Sequence, residues 1–138
     1  MTYNLKWIPY IWGTYDKNYK SGKLISLVKI LTTVKMIKAN TPVEFEFKPL
    51  LVKDSGNYIL LRMRNSAGKP NEIKLDYGII NEKSGTFTFT LKEDTLYHDY
   101  LLRVSTQYNW YSKNNSQLIV TANNNDVEIR NIDVFRGD

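Results

Sequence analysis

Thr86-Phe87-Thr88-Phe89-Thr90-Leu91 alternates strictly between threonine and a large apolar residue. In an extended chain successive side chains point to opposite faces, so Phe87, Phe89 and Leu91 are expected to face a core and the three threonines solvent. Aromatic and β-branched residues suit such a pleated surface. The Ser84-Gly85 pair just before the run reads as a turn.

The same device recurs on both sides of this segment. Val43-Glu44-Phe45-Glu46-Phe47 puts Val43, Phe45 and Phe47 on one face and two glutamates on the other. Ile59, Leu61 and Met63 alternate with Tyr58, Leu60, Arg62 and Arg64, and the run stops at Asn65-Ser66-Ala67-Gly68-Lys69-Pro70, which is rich in strand breakers. In Tyr100 to Thr106, Leu102 and Val104 share one face and Leu101, Arg103 and Ser105 the other. Along Asp126 to Phe135 the apolar parity slips by one between Val127, Ile129 and Ile132, Val134, and a β-bulge at Arg130-Asn131 would restore it. Leu24 to Ile37 supports two readings. Leu24, Leu27, Val28 and Leu31 would make a helical stripe, basic and amphipathic, whereas Thr32-Thr33-Val34 and the flanking Gly22 and Pro42 favour two strands. About eight short strands, with no helix of note and no internal repeat, imply an all-β fold: an antiparallel β-sandwich of jelly-roll type.

The chain has 138 residues, the size of one domain, so residues 1–138 are read as a single unit. Hydrophobic residues make up 42% and charged residues 24%, the balance of a globular protein that folds on its own core. With no cysteine, a disulfide scaffold, a thiolate zinc site and a cysteine nucleophile are excluded. The short, aromatic Trp7-Ile8-Pro9-Tyr10-Ile11-Trp12 is unlike the core of a secretory leader, and none is expected. Lys29 and Lys35 interrupt the longest apolar stretch, so no membrane insertion is expected either. The net charge of +5 favours polyanions at long range, although the lysines are spread along the chain as on any solvated surface.

From about Lys35 onward the order of landmarks resembles carbohydrate-binding jelly-roll modules of tail and baseplate proteins of phages that infect Gram-positive bacteria. Met36-Ile37-Lys38-Ala39-Asn40-Thr41-Pro42-Val43-Glu44-Phe45 looks like the family's opening strand, turn and core strand. Tyr58 to Gly68 is similar to its central strand, Ser84 to Thr90 to its glycine-led threonine–phenylalanine strand, and Tyr100 to Val104 to the strand that follows. Asn124 to Val134 resembles the closing strand. The resemblance covers about three quarters of the chain, by pattern and without a signature motif. It implies a virion component acting outside the host cell, whose partners are cell-wall polysaccharide or another saccharide and neighbouring tail proteins.

Proteins hold sugars by laying an aromatic ring on the apolar face of a pyranose while polar side chains take the hydroxyls. Tyr108, Asn109, Trp110 and Tyr111 form one such cluster and Trp12 with Tyr15 another. These rings could instead fill the core of a sandwich that has few leucines to spare. Arg62, Arg64 and Arg103 share the outward parity of two strands. They are candidates for a cationic ligand patch, or for cross-strand ion pairs with Glu44 and Glu46. The lone histidine, His98, has no nucleophile or second acid at a recognisable spacing, so no catalysis is expected. No cofactor and no metal are expected, since no oxygen-rich calcium loop is visible. A carbohydrate-binding module that is not an enzyme is therefore the leading expectation. A protein-assembly module that binds no glycan is its rival, and a single-strand nucleic-acid binder, though not expected, shares the aromatic and basic features.

Overall fold

The computed structural model describes residues 2–4, 23–48, 58–104 and 115–137. Ten strands run through them: β1 (Thr2–Asn4), β2 (Lys23–Leu31), β3 (Lys35–Ile37), β4 (Val43–Glu46), β5 (Tyr58–Asn65), β6 (Glu72–Ile79), β7 (Glu82–Thr90), β8 (His98–Arg103), β9 (Gln117–Ala122) and β10 (Val127–Gly137). No α-helix occurs among the described residues. The ambiguous Leu24 to Ile37 stretch is two strands, broken at Thr32-Thr33-Val34, and both lie on the same flank of β10.

One sheet has the order β1-β2-β10-β5-β8, with β3 added beside β10, and the other the order β4-β9-β6-β7. Every pairing is antiparallel. Apart from the short β1 and β3, the strands pair first with last (β2 with β10), second with seventh (β4 with β9), third with sixth (β5 with β8) and fourth with fifth (β6 with β7). One long hairpin rolled over itself makes this pattern, so the sandwich is a jelly roll.

The inward faces carry the alternation. Ile59, Leu61 and Met63 of β5, Tyr100 and Leu102 of β8 and Val127, Ile129, Ile132 and Val134 of β10 meet Ile73, Leu75 and Tyr77 of β6, Phe87 and Phe89 of β7 and Leu118, Val120 and Ala122 of β9. All are essentially excluded from water. Each large side chain removed from solvent contributes about 1.5–3 kcal/mol, which makes this seam the main source of stability. Phe89 stacks on Tyr100 with ring centroids 5.5 Å apart, joining the two layers.

Two bulges keep these faces in step. On β10 the partners change from Ile129 opposite Met63 to Asn131 opposite Arg62, so Arg130 is the extra residue and the expected slip in parity is absorbed there. On β7, Tyr77 lies opposite Gly85 and Gly78 opposite Lys83, which leaves Ser84 as the extra residue. Ser84-Gly85 is therefore a bulge inside a strand and not the turn expected. The chain reverses earlier, at Ile80-Asn81, where Asn81 takes the left-handed conformation (φ 66°). A β-carbon on Gly78 would run into the Glu82 carbonyl oxygen across the bulge, which explains a glycine in mid-strand.

At one end of the sandwich a buried amide ties three loops together. Asn71 Nδ2 donates to Asn65 Oδ1 (2.8 Å) and to the Asn125 carbonyl (3.0 Å), while its Oδ1 accepts from the backbone N–H groups of Asn124 and Asn125. Asn65 passes the connection on by donating to the Lys92 carbonyl (3.0 Å).

Candidate functional site

The outer face of the six-stranded sheet holds all three arginines singled out from the sequence. Arg62 lies opposite Asp99 on β8 and grips it with two bonds, from Nε at 2.6 Å and from Nη2 at 2.9 Å. Arg64 lies opposite Glu128 on β10 and donates to its Oε2 at 2.6 Å. The cross-strand ion pairing is real, but Glu44 and Glu46 take no part in it, because β4 belongs to the other sheet. Arg103 projects four residues farther along β8 than Asp99, about 13 Å at the rise of a strand, so the three arginines do not form one patch.

Tyr97 completes this cluster. Its hydroxyl donates to Glu128 Oε1 at 2.7 Å, and the guanidiniums of Arg64 and Arg130 lie 5.7 and 5.9 Å from its ring centre, within cation–π range. The hydrogen bond from Tyr97, followed by that from Arg64, holds the Glu128 carboxyl below its ordinary range. Burial and the same carboxylate push the Tyr97 phenol up, and the bond to Glu128 raises Arg64 further. These charges satisfy one another and form a locked surface.

His98 is likewise engaged. Its Nε2 lies 2.9 Å from both oxygens of Asp94, and its ring meets Tyr100 edge-on. The bond to His98 and a backbone N–H from Leu96 hold the Asp94 carboxyl below its ordinary range. The aromatic candidates Tyr108, Asn109, Trp110, Tyr111, Trp12 and Tyr15 lie outside the described residues.

The other sheet offers a different surface. Its outer face is crossed by a row in which Glu44 of β4, Ile119 of β9, Asp76 of β6 and Thr86 of β7 are successive neighbours, and by a second row of Glu46, Gln117, Gly78 and Lys83. Between them opens a trough of about 220 Å³, with Ile80, Asn81 and Glu82 of the β6–β7 hairpin at its rim. Asp76 is fixed as an acceptor by the Thr86 hydroxyl at 2.5 Å, with Lys74 and Lys83 Nζ at 3.7 and 3.9 Å. Glu44 and Glu46 are exposed, and no ion pair among the described residues engages Glu44, Glu46 or Glu82.

Gln117 is the unusual member of this surface. It is only 7% exposed, its outward parity opposite Leu118 and Val120 places it on the trough side, and its amide meets no partner among the described residues. Its amide is not among the buried side-chain atoms left without a partner, so it opens on the trough, where two donors and an acceptor are available to a ligand. The sequence places Glu44 and Glu46 on a solvated face, as candidate ion-pair partners of the arginines, and singles out none of Gln117, Ile119, Asp76 and Lys83. The usable signal was a glutamine and an isoleucine in consecutive outward slots of one strand. The sequence matches no family model and no curated protein.

Proposed function

We propose that this chain is a non-catalytic carbohydrate-binding module whose described binding surface is the trough on the four-stranded sheet. The Gln117 amide, which opens on the trough with no partner among the described residues, carries this reading, since sugar hydroxyls are the groups that amide donors and acceptors recognise. Around it are ranged Glu44, Glu46 and Lys83, with the partly buried Ile119 as an apolar bed for a sugar face. The volume lies below the roughly 300–1,000 Å³ of pockets that enclose drug-sized ligands, which suits one or two rings lying on a sheet. Attachment to host cell-wall polysaccharide as part of a phage tail or baseplate is supported by the order of sequence landmarks alone. Saccharide arrays and host cell-wall pull-downs test the proposal. Gln117→Ala is expected to abolish binding with the fold intact, and Trp110→Ala to weaken it if that aromatic cluster shares in the site. A folded wild type that retains no saccharide overturns it.

A second reading, a protein-assembly module that binds no glycan, is favoured by Ile79 and Ile80, which are 37% and 52% exposed at the hairpin tip. Size-exclusion chromatography that finds self-association or partner capture, with no sugar bound, supports it.

A further inference from the structure

We infer that the trough selects saccharides bearing free, protonated amino groups, an inference that rests on the carbohydrate-binding reading above. The whole chain carries +5, which alone would direct it towards polyanions. The trough has the opposite character, with the carboxylates of Glu44, Glu46, Asp76 and Glu82 set against the ammonium of Lys83 in its lining and that of Lys74 beside Asp76. Asp76 is already held by Thr86 and two lysines, but Glu44, Glu46 and Glu82 have no ion-pair partner among the described residues. An incoming phosphate or uronate would meet three uncompensated like charges, and an ammonium three opposite ones.

The arrangement suits an extended polyvalent amine better than a metal ion. Glu44 and Glu46 stand two residues apart on β4, about 7 Å along the strand, and Glu82 lies across the sheet at the hairpin. Among the described residues no three acidic or histidine side chains converge as a bound metal requires. Gln117 lies in the same row as Glu46, so an amide for a hydroxyl and a carboxylate for an ammonium are presented side by side. An amino sugar carries both groups on one ring, with an apolar face for Ile119.

The test is isothermal titration of the full chain with glucosamine oligosaccharides carrying free amines. The comparison ligands are the fully N-acetylated oligomers of the same length, a neutral glucan and a polyuronate. The free-amine oligomer is expected to bind best, to weaken at least tenfold from low to high salt, and to lose about fivefold or more of its affinity in the Glu44→Gln/Glu46→Gln double variant. Both positions are exposed, so the variant should fold, and its melting temperature checks this. If the acetylated, neutral or uronate ligand binds as tightly or more tightly, with dependence on Gln117 and none on the glutamates, amine selection is overturned and the carbohydrate reading stands. If calcium binds and displaces the oligomer's effect on the glutamates, amine selection is again overturned. If the folded protein binds none of the saccharides, the carbohydrate reading itself fails.

Discussion

Leu60 of β5 and Leu101 of β8 face one another across the outer side of the six-stranded sheet, and each is only 1% exposed. Neither belongs to the core between the sheets, and Tyr58 beside them, at 4%, is equally shielded. Leu60→Ala is therefore expected to cost about 2–5 kcal/mol, the penalty of a cavity in a closed interior. Thr88→Ala, on an exposed outward position of β7, should stay within about 0.5 kcal/mol. Urea denaturation of the two variants checks this, and equal small losses would mean that the outer leucines are not enclosed.

Gly85→Ala should destabilise the protein by about 1–3 kcal/mol through overpacking. An added β-carbon there would overlap the Tyr77 phenol, and Tyr77 is 2% exposed, so the ring has little room to withdraw. At Gly68 the nearest atom to an added β-carbon is the Glu93 carbonyl oxygen at 3.5 Å, an ordinary contact, and Gly68→Ala should be tolerated. Thermal melts of the pair separate crowding at one site from a general cost of replacing glycine.

The Asn71 hub can be tested by changing one atom. Asn71→Asp keeps the oxygen that accepts from the Asn124 and Asn125 N–H groups but replaces both donor contacts with repulsion from the Asn65 and Asn125 oxygens. Asn71→Leu removes all four contacts and leaves the buried Asn65 amide and two part-buried loop N–H groups without this partner, for a loss of about 1–3 kcal/mol. The aspartate variant should be weakened further as rising pH ionises it, while the leucine variant should not respond at that carboxyl. Denaturation midpoints across mildly acidic to neutral pH give the comparison.

Stability at low pH should depend on Tyr97. In the folded protein Glu128 sits below its ordinary value of 4.5, mainly because of the Tyr97 hydroxyl. Its stabilisation is thus complete above that value and is lost as pH falls through the lower folded one. Tyr97→Phe removes the larger cause, so the Glu128 carboxyl should titrate at higher pH and acid unfolding should begin earlier. An NMR titration of that carboxyl that is unmoved in the variant would contradict this assignment.

Period-two alternation was legible wherever outward slots were polar, as in Val43 to Phe47 and Thr86 to Leu91, and even the bulge at Arg130 followed from it. It was obscured at β9, where outward Ile119 turns Leu118-Ile119-Val120 into an unbroken apolar run, and at the end of β6, where Gly78-Ile79-Ile80 hides the pattern. Ser84-Gly85 has turn composition but serves as a bulge, because the reversal is taken by Asn81 three residues earlier. The trough was illegible for a deeper reason. Glu44, Gln117, Asp76 and Lys83 become neighbours only through the sheet order β4-β9-β6-β7, and strand order is a long-range property that no local pattern contains. Likewise Arg62 and Arg64 were visible as outward charges, but their partners, Asp99 and Glu128, come from strands 37 and 64 residues away.

Pairing the first long strand with the last has a consequence for synthesis. β10 fills the middle of its sheet, between β2 and β5, so until the ribosome has made residues 127–137 one flank of β5 lacks its neighbour. At about 5–20 residues per second, that flank waits several seconds after β5 itself has been made. Nascent chains arrested before residue 127 should therefore be the species most prone to sticking to one another, and holdase chaperones would act on them at that stage.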